Sequence, residues 1–262
     1  MRRREFITLF SGATAAIRPK EPHMLDPAFL KPGRFVESDA APIVDFARSC
    51  VGNAEAPIDM AVRLYYAVRD SVLYDPYQAY AHHDAYSARV ALERGRGFCI
   101  AKAALLAACA RAVAIPARLG FADVRNHLAT PRLIEMNGSD VFGWHGYTEL
   151  WLEGKFVKTT PAFNLSMCHR FDVTPLEFDG HSDSILHPYD RKDRRHMEYL
   201  VYRGTYTDVP VEEIIATFCE SCPRLLEAES FRGGDFANEA GRFGGRSSDR
   251  TIGQAATASR QS

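Results

Sequence analysis

The sequence predicts an α+β fold in which helices come first and antiparallel strands follow. Apolar residues recur at helical spacing over 58–72, and a run rich in Ala and Leu covers 100–114. Residues 142–160 alternate in the manner of strands around a polar, Gly-containing turn, which predicts a β-hairpin. Because the Ala-rich run carries small side chains at helix-packing positions, we expect it to be the central helix.

The composition is that of an ordinary globular chain. It has 262 residues, 46% hydrophobic and 25% charged, with a formal net charge of -1. This length is enough for one sizeable core. The near-zero charge gives no support for a nucleic-acid or anionic-membrane partner, and no apolar run approaches the roughly 18 to 20 residues of a membrane span. Six cysteines without a framework spacing favour a reducing compartment, so we expect a cytoplasmic protein.

The first 23 residues are set apart from the rest. Residues 1–7 resemble a twin-arginine export signal, and 8–17 form a short apolar stretch. A run of charge and proline follows at once, and Ala13-Thr14-Ala15 is only a loose cleavage site. Residues 1–23 are therefore interpreted as a twin-arginine-like leader, with export as the alternative location, or as an over-extended start.

Residues 24–228 are expected to form one domain. Helices are predicted over 43–51, 58–72, within 84–92 and over 100–114, and strands over 117–124, 142–152 and 156–160. Residues 127–134 are mixed because Pro131 interrupts them, and 165–209 are loop-rich. A last helix is predicted over 210–228, with Pro210 in its first turn. Residues 229–262, rich in Gly, Ser and Arg, are expected to be disordered.

Cys99 is the first candidate for chemistry. It follows Gly95 and Gly97, which allow a sharp turn, and precedes the Ala-rich helix. A thiolate at a helix N-terminus is stabilised by unpaired N–H groups and by the helix dipole, so we expect a thiol pKa below about 8.5. Such a cysteine is a candidate nucleophile. The alternative is a small buried residue that packs the helix start.

His145 is the second candidate. It lies on the first strand of the predicted hairpin, and because side chains alternate along a strand, it shares a face with Glu149. A segment containing Arg111, Ile115 and Arg118 leads from the central helix into the strands. His127 is a further histidine before the hairpin, and we interpret it as a loop residue.

Together these motifs resemble the transglutaminase-like superfamily, which has a papain-like cysteine-protease fold. The resemblance covers about residues 84–165, with the motifs in the family's order. The residues that carry it are Gly97, Cys99, Arg111, Ala112, Ile115, Pro116, Ala117, Arg118, His145, Glu149, Gly154 and Pro161. It implies a central nucleophile helix packed on an antiparallel β-sheet, with Cys99 as nucleophile and His145 as general base.

One position departs from the family pattern. The family's third catalytic residue is an Asp directly before the Pro, and this chain has Thr160 there. The Asp orients the histidine and stabilises the imidazolium, whereas a Thr hydroxyl brings no charge. Asn164 is a candidate substitute, as is a later carboxylate such as Asp172 or Asp179. The site is therefore either rewired or catalytically weak.

The resemblance implies cysteine-dependent acyl transfer on an amide or peptide bond through a thioester. Bacterial members are more often proteases or amidases than cross-linkers, which favours hydrolysis of a peptide or protein substrate with an amide or glutamine-type acyl donor. No cofactor is expected. The rival hypothesis is a catalytically inactive binding module that keeps the fold and the cleft.

Other chemistry is less well supported. A metal site is conceivable at His82-His83, or in the later loop segment at Asp179, His181, Asp183 and His187 with His196, but no spacing matches a recognised zinc or calcium pattern, and we expect no metal. Cys219 and Cys222 form a C-x-x-C inside a predicted helix. A redox motif is expected at a helix start, so redox use is disfavoured.

Overall fold

The computed structural model describes residues 25–127, 129–185 and 196–226, together with Phe236 and Glu239. The predicted leader lies outside these residues, and so does all of the predicted tail apart from Phe236 and Glu239. Phe236 is buried against the domain, so at least this position of the tail is packed. In the described part of the chain, no helix has the length and apolar character needed to cross a membrane.

The helical layer is built around the predicted central helix. Its members are α1 (Ala41–Val51), α2 (Pro57–Ser71), α3 (Ala88–Arg94) and α4 (Cys99–Ala112). Every residue of α4 from Ile100 to Arg111 is buried. Its many alanines allow α1, α2 and α3 to pack closely around it, while its remaining side faces the sheet.

The sheet has four antiparallel strands in the order β5-β4-β3-β6. They are β3 (Ala117–Asn126), β4 (Val141–Leu152), β5 (Lys155–Thr159) and β6 (Met197–Tyr206). Helix α4 packs on β4, where Thr148 Oγ1 donates a hydrogen bond of 2.9 Å to the Ala103 carbonyl. The predicted α+β fold with a central helix on an antiparallel sheet is confirmed.

A short parallel pair leads into α4. Strand β1 (Leu73–Tyr74) pairs with β2 (Arg96–Gly97), and β2 ends two residues before Cys99. Gly95 makes the turn from α3 into β2 in the left-handed region, at φ 62°, where a side chain is strained. The predicted glycine turn before Cys99 is therefore present.

Two segments differ from the sequence prediction. Pro131 does not interrupt a strand but begins helix α5 (Pro131–Asn137), where it occupies the first turn and Thr130 caps the Leu133 N–H at 3.2 Å. The loop-rich segment 165–209 contains helix α6 (Leu165–Phe171) as well as β6. The strand β6 could have been predicted from its consecutive strand-forming residues Leu200, Val201 and Tyr202, which are exposed in the structure.

The last predicted helix is shorter than expected. Helix α7 covers Val211–Ser221, and a 3-10 turn follows at Pro223–Leu225. Pro223 has no N–H to continue the helical ladder, so the helix ends before it. Cys219 lies in the last turn of α7 and is exposed, while Cys222 caps the helix end and is buried.

Candidate active site

Cys99 is the first residue of α4. Phe98 precedes it in extended conformation and provides no side-chain cap, so the first N–H groups of the helix are available to other acceptors. The backbone N–H groups of Cys99, Ile100 and Gly146 are directed at the Cys99 sulfur and lower its pKa. Two of these donors belong to the helix start, and the third comes from β4.

Burial has the larger effect on the thiol. Although the residue retains some exposed surface, its sulfur is desolvated, and this raises the pKa of Cys99 to about 11 despite the three N–H donors. The expected depression of the thiol pKa is therefore wrong. The helix terminus acts in the predicted direction, but the apolar surroundings oppose it more strongly.

His145 lies on β4 where the strand is irregular. Trp144, directly before it, adopts a left-handed backbone conformation at φ 59°, and the register of β3 against β4 shifts between Ala122 and Val124. The Trp144 N–H donates to Asp123 Oδ1 at 3.1 Å, which holds the irregular backbone. His145 is buried, and burial lowers its pKa to about 4, so its imidazole is neutral at pH 7.

Cys99 and His145 line the same cavity, which has a volume of about 70 Å³. Its wall includes the starts of α4 and β4, the end of β3, helix α5, and α7 with the 3-10 turn that follows it. The structure thus brings together the two residues on which the predicted chemistry depends. Helix α5 was not among the predicted elements of the site, although its apolar Leu133 and Met136 at helical spacing indicate a buried helix face.

Residues 44–161, a segment that contains Cys99, His145 and Thr160, match the model of the transglutaminase-like superfamily. This segment is therefore similar to the core of the transglutaminase-like superfamily. The match supports a cysteine-dependent enzyme in general. No curated protein matches the sequence.

One solved structure that resembles the chain comes from Cytophaga hutchinsonii and is described as a candidate cysteine protease. It is 20% identical, with a TM-score of 0.42. The similarity covers 69% of this chain and 46% of that one, so the transglutaminase-like chain spans less than half of that protein's length.

The third position of the transglutaminase-like core lacks the expected contact. Among the described residues, neither His145 Nε2 nor Thr160 Oγ1 has a hydrogen-bond partner, although both atoms are buried. The Thr160 backbone is well anchored, since its N–H donates to the Ser184 carbonyl at 2.9 Å. The side chain at the family's acidic position therefore makes no hydrogen bond to the imidazole.

The candidate substitutes act elsewhere. Asn164 Oδ1 accepts from the Tyr74 N–H at 3.1 Å, and its Nδ2 donates to Ser166 Oγ at 2.7 Å. Asp179 accepts from the N–H groups of His181 and Ser182, each at 2.8 Å. Asp172 ends α6 in a left-handed conformation and does not bond His145 Nε2. Among the described residues none of these groups hydrogen-bonds His145 Nε2, so Asn164, Asp172 and Asp179 stay unsupported as the group that orients the imidazole.

Glu149 and His127 each belong to a structural pair. Glu149 binds Arg118 at 2.6 Å, and the Arg118 guanidinium lies over the Phe156 ring at 3.8 Å. Although Glu149 shares a strand with His145, its carboxylate is engaged by Arg118. His127 pairs with Glu198 at 3.2 Å and is not among the cavity-lining residues.

Within the described ranges, no group of three His, Cys, Asp or Glu side chains could hold a metal ion. His83 Nδ1 lies 2.6 Å from the Arg34 guanidinium, and His181 Nδ1 lies 3.3 Å from Glu153. His187 lies outside the described residues.

Proposed function

We propose that this protein is a cysteine-dependent enzyme that cleaves an amide or peptide bond through a thioester on Cys99, with water as the final acceptor. The observation that carries the proposal is the shared cavity of Cys99 and His145, together with three N–H groups directed at the Cys99 sulfur. A nucleophile, a base and donors for a developing negative charge are the parts that acyl transfer needs.

The first half of the reaction forms the thioester. With the pKa of Cys99 raised and that of His145 lowered, both groups are neutral at pH 7. His145 therefore takes the thiol proton as the sulfur attacks the carbonyl carbon, acting as a general base. The oxyanion is placed near the N–H groups of the α4 start and Gly146. Collapse breaks the C–N bond, and the imidazolium returns its proton to the leaving amine.

Hydrolysis completes the cycle. His145 takes a proton from water as the water oxygen attacks the thioester carbonyl, and the tetrahedral intermediate expels the sulfur. The sulfur recovers the proton from His145, and a carboxylic acid leaves. Each step creates an imidazolium that no carboxylate among the described residues stabilises, which predicts slow turnover compared with a complete triad.

A specific observation favours a second candidate, an inactive binding module. His145 Nε2 has no partner, Thr160 replaces the acidic residue, and burial raises the thiol pKa. These features are expected of a site that keeps its cavity but no longer activates the cysteine.

The two candidates differ in covalent chemistry with an activated ester. The assay measures release of 4-nitrophenolate from 4-nitrophenyl esters in a Cys219→Ser background, which removes an exposed thiol. The enzyme proposal expects a burst of about one equivalent, acylation of Cys99 by mass spectrometry, and loss of the burst in Cys99→Ala. His145→Ala should slow the burst by a factor on the order of 10² or more. The binding module is favoured if Cys99 is acylated no faster than an ordinary exposed thiol such as Cys219 of the native chain.

A further inference from the structure

The cavity beside Cys99 has an apolar wall. Aromatic and aliphatic side chains from both the helical layer and the sheet surround Cys99. They are Tyr74, Pro76, Tyr80, Phe98, Ile100, Val124, Leu133, Met136, Phe142, Trp144, Phe163, Met197, Phe218 and Leu225. Among the described lining residues none is Asp, Glu, Lys or Arg. A charged group entering this cavity would lose its water without gaining an opposite charge.

The neutral polar groups of the wall are mostly committed to the protein itself. Asn137 Nδ2 donates to the Ser139 and Val141 carbonyls at 2.9 and 2.7 Å. The Tyr80 hydroxyl donates to the Pro76 carbonyl at 2.5 Å. These groups offer a primary amide little compensation for the water that it would lose on entering the cavity, and His145 Nε2 is the unpartnered buried atom that it could meet among the described lining residues.

The cavity has room for more than water. A volume of about 70 Å³ exceeds the roughly 10 to 15 Å³ that one water needs by several-fold. Because this space adjoins Cys99, the carbonyl that the sulfur attacks would bring a neighbouring side chain into it.

We infer that the cavity is a specificity pocket for a single apolar side chain of the acyl donor, of leucyl or phenylalanyl type, in preference to a glutaminyl one. The inference rests on the proposed function, because it identifies the cavity occupant as part of the molecule that acylates Cys99. It differs from the glutamine-type donor that the family resemblance suggests. The reason is the wall chemistry, which favours burial of apolar surface and gives an amide little compensation for its lost water.

Helix α5 supplies the residues best suited to a test. Leu133 and Met136 line the cavity and are buried, whereas Ile134 on the same helix is 39% exposed and is absent from the wall. A polar substitution at Met136 alters the pocket, and the same substitution at Ile134 alters only the surface. Because both positions lie on the same short helix, Ile134→Gln controls for any loss of helix stability caused by Met136→Gln.

The test measures binding in the full-length Cys99→Ala chain, where no acylation can occur. Dissociation constants are determined by ligand-detected NMR for the N-acetyl methylamides of leucine, phenylalanine, glutamine and lysine. We expect leucine or phenylalanine to bind at least tenfold more tightly than glutamine, with lysine weakest. Met136→Gln should reduce this ratio at least threefold, and Ile134→Gln should leave it unchanged.

Glutamine binding as tightly as leucine and phenylalanine, or no ligand binding at all, would overturn the inference. The comparison among ligands needs no core variant, so it stands even if Met136→Gln does not fold. Failure of the proposed function is distinguishable: ligands would then bind with the expected order while native Cys99 remains unacylated by activated esters. Conversely, acylation without an apolar preference would retain the function and reject the pocket's specificity.

Discussion

Gly146 on β4 lies directly against Ile100 on the first turn of α4: a Cβ added at Gly146 would sit 3.0 Å from the Ile100 Cα. This close approach brings the strand that carries His145 against the helix start that carries Cys99. It also directs the Gly146 N–H at the Cys99 sulfur. The absence of a side chain at this one position is therefore a condition for the site's geometry.

Gly146→Ala should impair the site more than the fold. The new methyl group meets helix backbone, which cannot rotate away, so β4 and α4 must separate locally. We expect a loss of about 1–3 kcal/mol in the free energy of unfolding and at least a tenfold slower acylation of Cys99. Gly143→Ala is the matched control, because its Cβ would meet Asp123 Oδ1 at an ordinary 3.6 Å. Equal effects of the two substitutions on acylation would contradict this account.

Thr160→Asp should restore charge support to His145. The β4–β5 register pairs Thr148 with Thr159, so Thr160 falls on the face that His145 shares by alternation. A carboxylate there should raise the pKa of His145 by stabilising its imidazolium, and accelerate Cys99 acylation about tenfold or more. The histidine pKa is measured by NMR and the acylation rate by nitrophenolate release.

Thr160→Val is the control for the same position, because it preserves shape and removes only the hydroxyl. Since Thr160 Oγ1 has no partner among the described residues, acylation should stay within about twofold of the native rate. A large loss in Thr160→Val would show that the hydroxyl itself supports His145, contrary to the geometry described above.

The rate of Cys99 alkylation should depend on pH as expected for a thiol that is neutral at pH 7. Burial raises the pKa of Cys99 to about 11, so the thiolate fraction grows tenfold per pH unit between pH 6 and 10. The logarithm of the iodoacetamide rate at Cys99, followed by mass spectrometry, should therefore rise with a slope near one over that range. A plateau reached below pH 8 would instead indicate a thiolate–imidazolium pair.

The burial of Lys102 should make the free energy of unfolding depend on pH. It is fully buried on α4, where its ammonium donates to the carbonyls of Arg69, at 2.9 Å, and Val72. Burial lowers its pKa from 10.5 to about 7. Between these values the unfolded chain binds the additional proton, so stability rises with pH across this window. Below about pH 7 Lys102 is protonated in both the folded and the unfolded chain, so it no longer makes the free energy of unfolding depend on pH.

Urea unfolding at pH 6.5 and pH 9.0 checks this sign. The native chain should gain stability between the two pH values relative to Lys102→Met, which cannot titrate. Lys155→Met is the control, because Lys155 is exposed and donates to the His181 carbonyl at the surface. The prediction fails if the native chain and Lys102→Met show the same change in free energy of unfolding.

Short-range patterns in the sequence were sufficient to predict much of the fold and to select Cys99 and His145, which line one cavity in the structure. Helical spacing and small side chains predicted α4, alternation predicted the β4–β5 hairpin, and Gly95 with Gly97 placed Cys99 at a helix start. These features depend on neighbours within a few residues, which is why the sequence alone determined them. Pro131 was misinterpreted because a proline ends a strand or begins a helix according to its surroundings.

Only the tertiary structure decided the chemical state of the site. The pKa of Cys99 depends on desolvation by β4 and the cavity wall, residues distant in sequence, and this outweighed the local helix terminus. Likewise, Asn164 is close to Thr160 in the chain, but its amide is engaged by Tyr74 and Ser166 rather than His145. Desolvation and hydrogen-bond competition are sums over all spatial neighbours, so they are set by packing and not by any single motif.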